Sequence, residues 1–148
     1  MATIWQLIER RAGETPDDVM LIDESDRRVT FGEFRDQAAA LAAGLAGAGI
    51  GSESRVTWQL PSSIDAAITM AALSRLDAVQ CPVLHLYRKK ELGFVLKHTN
   101  AEYCIVPGEW KGFDYTAMAD ELAADLDPSP VVMTLGSLPT GDPSTLPP

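Results

Sequence analysis

The chain has 148 residues and a mass of 16.0 kDa, enough for one domain with a sizeable core. Twelve basic against twenty-one acidic residues give a formal net charge of -9. That balance argues against nucleic acid and anionic membranes as partners, because both select clustered Lys and Arg. No run approaches the ~20 apolar residues of a membrane span. Met1 to Arg11 lacks the continuous apolar centre of a signal peptide, so the expected location is cytoplasmic.

In chain order, Thr3 is placed to cap a short amphipathic helix to about Ala12, with Ile4, Trp5 and Ile8 on one face. Thr15-Pro16-Asp17-Asp18 breaks it. Val19 to Ile22 and Arg28 to Phe31 read as two strands of a hairpin around the turn-rich Asp23 to Asp26. Thr30 with Glu33 has capping-box spacing. Phe31, Phe34, Ala38, Leu41, Leu45 and Ala48 then form one stripe on a helix of about five turns. Gly47-Ala48-Gly49-Ile50-Gly51 has the composition of a dinucleotide loop, but it follows a helix and leads to a strand. Such a loop needs the reverse order, so that helix amides face the pyrophosphate. It therefore reads as a helix stop.

Arg55 to Leu60 reads as a strand ended by Pro61, and Ser62 or Ser63 caps a helix from Ile64 to Leu76 that is apolar on most sides. Val79 to Leu84 is the next strand and Arg88 to His98 a helix. Tyr103 to Val106 is a strand, Asp114 can cap a helix from Tyr115 to Leu126, and Val131 to Leu135 is the last strand. Short β-branched strands alternating with helices define an α/β fold. The expectation is a three-layer, mostly parallel sheet with helices on both faces, plus the N-terminal β-hairpin. Residues 1–136 form the domain. Residues 137–148 hold four prolines with Gly, Ser and Thr and no apolar period, and read as a linker to a missing remainder.

Few residues announce chemistry. Cys81 and Cys104 lie in apolar strand runs, where buried free thiols fit a reducing compartment better than a disulfide. His85 and His98 stand at no zinc-ligand spacing to either. No Walker-type loop, nucleophile elbow or zinc-protease motif occurs. The acidic pairs Asp17-Asp18 and Asp23-Glu24 fall in turn-like segments and read as solvated. His85, just past the carboxyl end of a strand, is a candidate for a pocket, since open α/β sheets bind ligands there; the alternative is a loop histidine with a backbone partner. Arg88 is a candidate anion contact, or else the partner of Glu91 in an ion pair at a helix start. Trp58, Trp110, Phe113 and Tyr115 either line an apolar cavity or pack in the core and its rim.

In order and spacing, these segments resemble the adenylate-forming superfamily of acyl-CoA synthetases, luciferases and peptide-synthetase adenylation domains. Arg28 to Phe34 looks like its first core motif. Leu41-Ala42-Ala43-Gly44-Leu45 with Gly49-Ile50 is similar to the end of the helix that follows. Ala71 to Pro82 lies over the second core motif, with Asp77 where a Gly is usual. Leu84 to Arg88 and Val106 to Tyr115 look like cyclohexanecarboxylate-CoA ligase-type bacterial enzymes, in which the position of His85 more often carries Pro. The resemblance implies a two-step reaction in the complete enzyme, which would use ATP, Mg and CoA. A carboxylate attacks the α-phosphate of ATP to give acyl-adenylate and pyrophosphate, and the CoA thiol displaces AMP. It also implies that the phosphate-binding loop, the adenine-binding segment and the catalytic lysine come after Pro148. No catalytic, cofactor-binding or metal-binding residue is therefore assigned here. The expected protein is an N-terminal ligase fragment, inactive alone, whose partners are the rest of the ligase chain or a second copy through exposed apolar surface. The alternative is a standalone binding module that has borrowed the ligase half-fold.

Overall fold

The computed structural model describes residues 2–148 and resolves them into two compact units. One holds residues up to Ile50, then Ser62–Asp77 and Pro139–Pro148; the other holds Gly51–Pro61 and Ala78–Leu138.

The first unit is helical, with a hairpin. Helix α1 (Ile4–Glu14) starts at Thr3, whose hydroxyl accepts from the Gln6 amide while the Gln6 side chain accepts from the Thr3 amide. This pairing satisfies two of the amides that every helix start leaves without partners. Of the stripe on α1, Trp5 is buried while Ile4 is exposed. Strands β1 (Val19–Ile22) and β2 (Arg28–Thr30) pair antiparallel as the hairpin. In its turn, Asp23 Oδ1 accepts from the amides of Ser25 and Arg27 at 2.9 Å each, so this acid shapes the loop. Helix α2 (Phe31–Gly47) opens on the expected capping box, with Thr30 Oγ1 taking the Glu33 amide and Glu33 taking the Thr30 amide. It closes at Gly49 (φ 99°), a backbone angle that side chains disfavour, so the glycine run is a helix stop. Helix α3 (Ile64–Arg75) is capped by Ser63 and is buried round most of its circumference, as its sequence implied. Helices α1, α2 and α3 pack on one another.

The second unit carries the sheet. Strands β3 (Arg55–Trp58), β4 (Val79–Pro82), β5 (Tyr103–Val106) and β8 (Val131–Thr134) are all parallel, in the order β4-β3-β5-β8. Helices α4 (Lys89–His98) and α5 (Tyr115–Ala124) pack on it within the same unit. Leu92 and Leu96 of α4 and Met118 and Ala119 of α5 close over Cys104 and Val106 of β5 and over Val83. Burying each such Leu contributes roughly 1.5–3 kcal/mol. The fold is therefore the expected α/β class, with a parallel sheet, flanking helices and the N-terminal hairpin.

Two features were not foreseen. A short hairpin of β6 (Glu109–Trp110) and β7 (Phe113–Asp114) precedes α5, turning on Lys111 (φ 47°) and Gly112 (φ 75°). Two positive φ angles in a row are what a type I′ turn requires. The proline-rich segment 139–148 belongs to the helical unit and carries a 3-10 turn at Pro143–Thr145 that lies against α2.

Candidate functional site

Topology singles out one edge of the sheet. From β3 the chain steps outward to β4, then returns past β3 to β5 and on to β8. The direction reverses between β3 and β5, and ligands of open α/β sheets bind at the carboxyl ends beside such a reversal. There, Gln59 follows β3, the loop 83–88 follows β4, and the β6–β7 hairpin follows β5.

The loop after β4 is fixed through its carbonyls. Gln59 is fully buried, and its Nε2 donates to the carbonyl oxygens of Leu84 and Tyr87, both at 2.9 Å. Tyr115 Oη, from the buried start of α5, donates to the His85 carbonyl at 2.8 Å. Arg88 Nη1 donates to the carbonyls of His85 and Tyr87, each at 3.0 Å, and stands 3.5 Å from Tyr115 Oη. With its carbonyls drawn inward, the loop turns Leu84 and Leu86 out to solvent, at 58% and 70% exposure.

Aromatic rings build the wall beside it. The Arg88 guanidinium lies 4.1 Å from the Phe113 ring centroid and 5.4 Å from that of Tyr115. Phe113 meets Tyr115 edge to face at 4.8 Å, and the His85 ring meets Trp110 the same way at 4.9 Å. The Lys111 ammonium sits 4.7 Å above Trp110. These groups, with Leu86, line a cleft of about 250 Å³. The two candidates, His85 and Arg88, are thus brought to one place with three of the four singled-out aromatics. Trp58 is elsewhere, its indole donating to Gln80 Oε1 at 3.0 Å.

The structure corrects one reading. Arg88 and Glu91 do not meet as an ion pair at the start of α4. The Glu91 carboxylate accepts instead from the Arg88 backbone amide at 3.2 Å, while the guanidinium turns to the loop carbonyls and rings. Backbone amides, its own first and then that of Arg88, hold the Glu91 carboxyl below its usual range. Sequence reading missed Gln59 and the Lys111-Gly112 turn. The turn carried a signal, a two-residue Lys-Gly break between aromatic strand residues; Gln59 carried only its polarity in an apolar strand.

The cleft offers aromatic faces, the His85 ring and two cations, Arg88 and Lys111. No described group of three or more His, Cys, Asp and Glu could hold a metal ion. Cys81 and Cys104 are both free, and burial pushes the Cys104 thiol up to about 12, the Asp120 charge adding to the effect.

A crevice at the carboxyl ends of a parallel sheet, lined by aromatic and cationic groups, is the kind of place where α/β proteins receive small molecules. The family model described as AMP-binding enzyme matches residues 8–146, and the chain belongs to that family. It is 33% identical over 112 residues to a 2-hydroxy-7-methoxy-5-methyl-1-naphthoate–CoA ligase of Streptomyces carzinostaticus, covering 76% of this chain and 20% of that protein. It is likewise 33% identical over 127 residues to a salicyl-AMP ligase / salicyl-S-ArCP synthetase of Mycobacterium tuberculosis, covering 83% of this chain and 22% of that one. Among solved structures, the Klebsiella oxytoca NpsA N-terminal subdomain in complex with 3-hydroxybenzoyl-AMSN superposes with a TM-score of 0.77 at 24% identity, over 93% of this chain and 31% of that one. The Bacillus subtilis o-succinylbenzoate CoA synthetase gives a TM-score of 0.76 at 18% identity, over 93% and 32%. These two likenesses establish the fold. The chain spans about a fifth of the length of the curated relatives it matches.

Proposed function

We propose that this chain is the N-terminal lobe of an ATP-dependent ligase that activates a carboxylic acid as its acyl-adenylate, and that it does no chemistry alone. One observation carries the reading: the family match runs over residues 8–146, yet the sequence contains no Ser/Thr/Gly-rich loop ending in Lys. Such a loop is what must offset several phosphate charges at once. Residues 1–136 are the lobe and 137–148 its connection to the remainder. In the complete enzyme ATP and Mg would supply the activating phosphate and CoA the acceptor thiol. No residue of this chain is assigned to them, and the protein works in the cytoplasm.

Relatives named for a naphthoate, for salicyl-AMP and for medium-chain fatty acids favour an acid with an apolar body, of fatty or aryl type, and the resemblance to cyclohexanecarboxylate-CoA ligases adds an alicyclic one. The partner is the rest of the ligase chain, received on the apolar side chains that the fixed loop after β4 holds outward. The test is ATP–pyrophosphate exchange with a panel of such acids. The purified chain should give no exchange above background with any of them. Acid-dependent exchange by the chain alone would overturn the reading. A chain that is inert and also fails to bind the remaining part of a related ligase would favour a standalone module.

A further inference from the structure

Residues 139–148 have the composition of a free tether, yet inside the helical unit they are held at several points. The Gly141 amide donates to the Ala40 carbonyl at 2.9 Å, in the middle of α2. Asp142 Oδ1 accepts from the Ser144 amide at 2.9 Å and caps the 3-10 turn that follows, and this bond keeps its carboxyl below the usual range. The Arg75 guanidinium, at the end of α3, donates to the Pro147 carbonyl. Pro143 and Leu146 face Trp5, Arg35 and Ala39 across a cleft in the same unit.

The approach depends on two glycines facing each other. A Cβ on Gly44 of α2 would stand 2.0 Å from the Pro139 carbonyl oxygen and 2.6 Å from Thr140 Cα. A Cβ on Gly141 would meet the Ala43 carbonyl carbon and the Gly44 nitrogen at 3.1 Å each. Backbone therefore lies directly on backbone here, and no side chain at position 44 leaves room for the segment.

We infer that residues 139–148 are a strap seated on α2, and that Gly44 is the position that admits it. The inference rests on the proposed reading for its consequence. In a ligase of this family the connection toward the phosphate-binding part then leaves from a fixed post on α2 and α3, so the next segment starts from one place. A free tether would instead spread that start over many positions and lower its effective concentration at the site.

Amide hydrogen exchange in the whole chain tests the strap, with Gly141 as reporter. In the native protein this amide should exchange at least about tenfold more slowly than an unstructured glycine, as a local opening of this bond requires. Gly44→Ala should bring it to the unstructured rate while the α2 amides remain protected, since Ala is the better helix former. Gly47→Ala, at the end of the same helix with open space around it, should leave the Gly141 rate unchanged. Should Gly44→Ala fail to fold, Gly141→Ala crowds the Ala43 and Gly44 backbone from the strap side and should speed exchange of the residue 141 amide with the helices intact. Unprotected Gly141 in the native chain, or continued protection in both Gly44→Ala and Gly141→Ala, overturns the inference. Activity is not read here, so either result leaves the exchange assay of the proposed function to stand or fall by itself.

Discussion

Cys104 shows what burial does to a reactive group. It is wholly buried on β5 among Leu92, Val106 and Met118, and its thiol is raised from 9.0 to about 12 by burial and then by the Asp120 charge. A thiol held that high carries about a thousandfold less thiolate at neutral pH, and the thiolate is the nucleophile. Cys81, half-buried on β4, should therefore be alkylated in the native protein while Cys104 reacts only on unfolding; equal native rates measured by mass spectrometry would contradict this. The same elevation has a sign in stability. Above pH 9 the unfolded thiol has lost its proton and the folded one keeps it until about 12, so stability falls as pH rises across that window, by at most about 1.4 kcal/mol per pH unit. Cys104→Ala should remove that alkaline slope. At this scale the sequence was partly legible: two buried free thiols were expected, and both are free, but only Cys104 is buried while Cys81 is half-buried. The roles of Arg88 and Gln59 were not, because each depends on carbonyls that only the folded loop brings together.

At the scale of elements, composition and order carried most of the information. The capping box of Thr30 and Glu33, the Ser63 and Asp114 caps and the strand–helix alternation all lie where local chemistry demands them. Strand ends were expected further on: β3 and β4 stop at Trp58 and Pro82, before Leu60 and Leu84. The Gln59 and Val83 amides make one more cross-strand bond each, after which the Leu84 carbonyl turns to the Gln59 side chain. The strap escaped detection because proline-rich composition reports what a segment lacks, not what glycine-sized space it can enter on a neighbouring helix. Asp77 offers a test at this scale. It stands where the family resemblance places a Gly, and it adopts φ 56° at the end of α3. Asp tolerates that conformation better than most residues, and Gly adopts it freely. Asp77→Gly should therefore change stability by no more than about 1 kcal/mol, whereas Asp77→Val should lose roughly 1–2 kcal/mol, since a β-branched residue resists left-handed backbone. Urea denaturation of both variants measures this, and an equal loss in the two would show that the Asp side chain, not the backbone angle, matters.

For the whole molecule, two opposed forces set behaviour in solution. The chain carries a net charge of -9, which keeps copies apart. It also displays Leu84 and Leu86 on a loop whose carbonyls are tied inward, so those side chains cannot retreat by a local turn of the backbone. Where nothing covers them, they should draw a second copy. Salt decides between the forces, because it screens repulsion while leaving apolar contact in place: the Debye length falls from about 30 Å at ~0.01 M to about 8 Å at ~0.15 M. The weight-average mass in sedimentation velocity should therefore rise with salt at fixed protein concentration, the opposite of association through ion pairs. Leu86→Ser should reduce the effect, since Leu86 is 70% exposed and its neighbours are fixed. Phe94→Ser serves as the control, because Phe94 is similarly exposed at 66% but lies on α4, stacked on His98 at 5.3 Å. A chain that stays monomeric at every salt concentration, or one in which Phe94→Ser and not Leu86→Ser abolishes association, would remove the loop after β4 as the surface built for a partner.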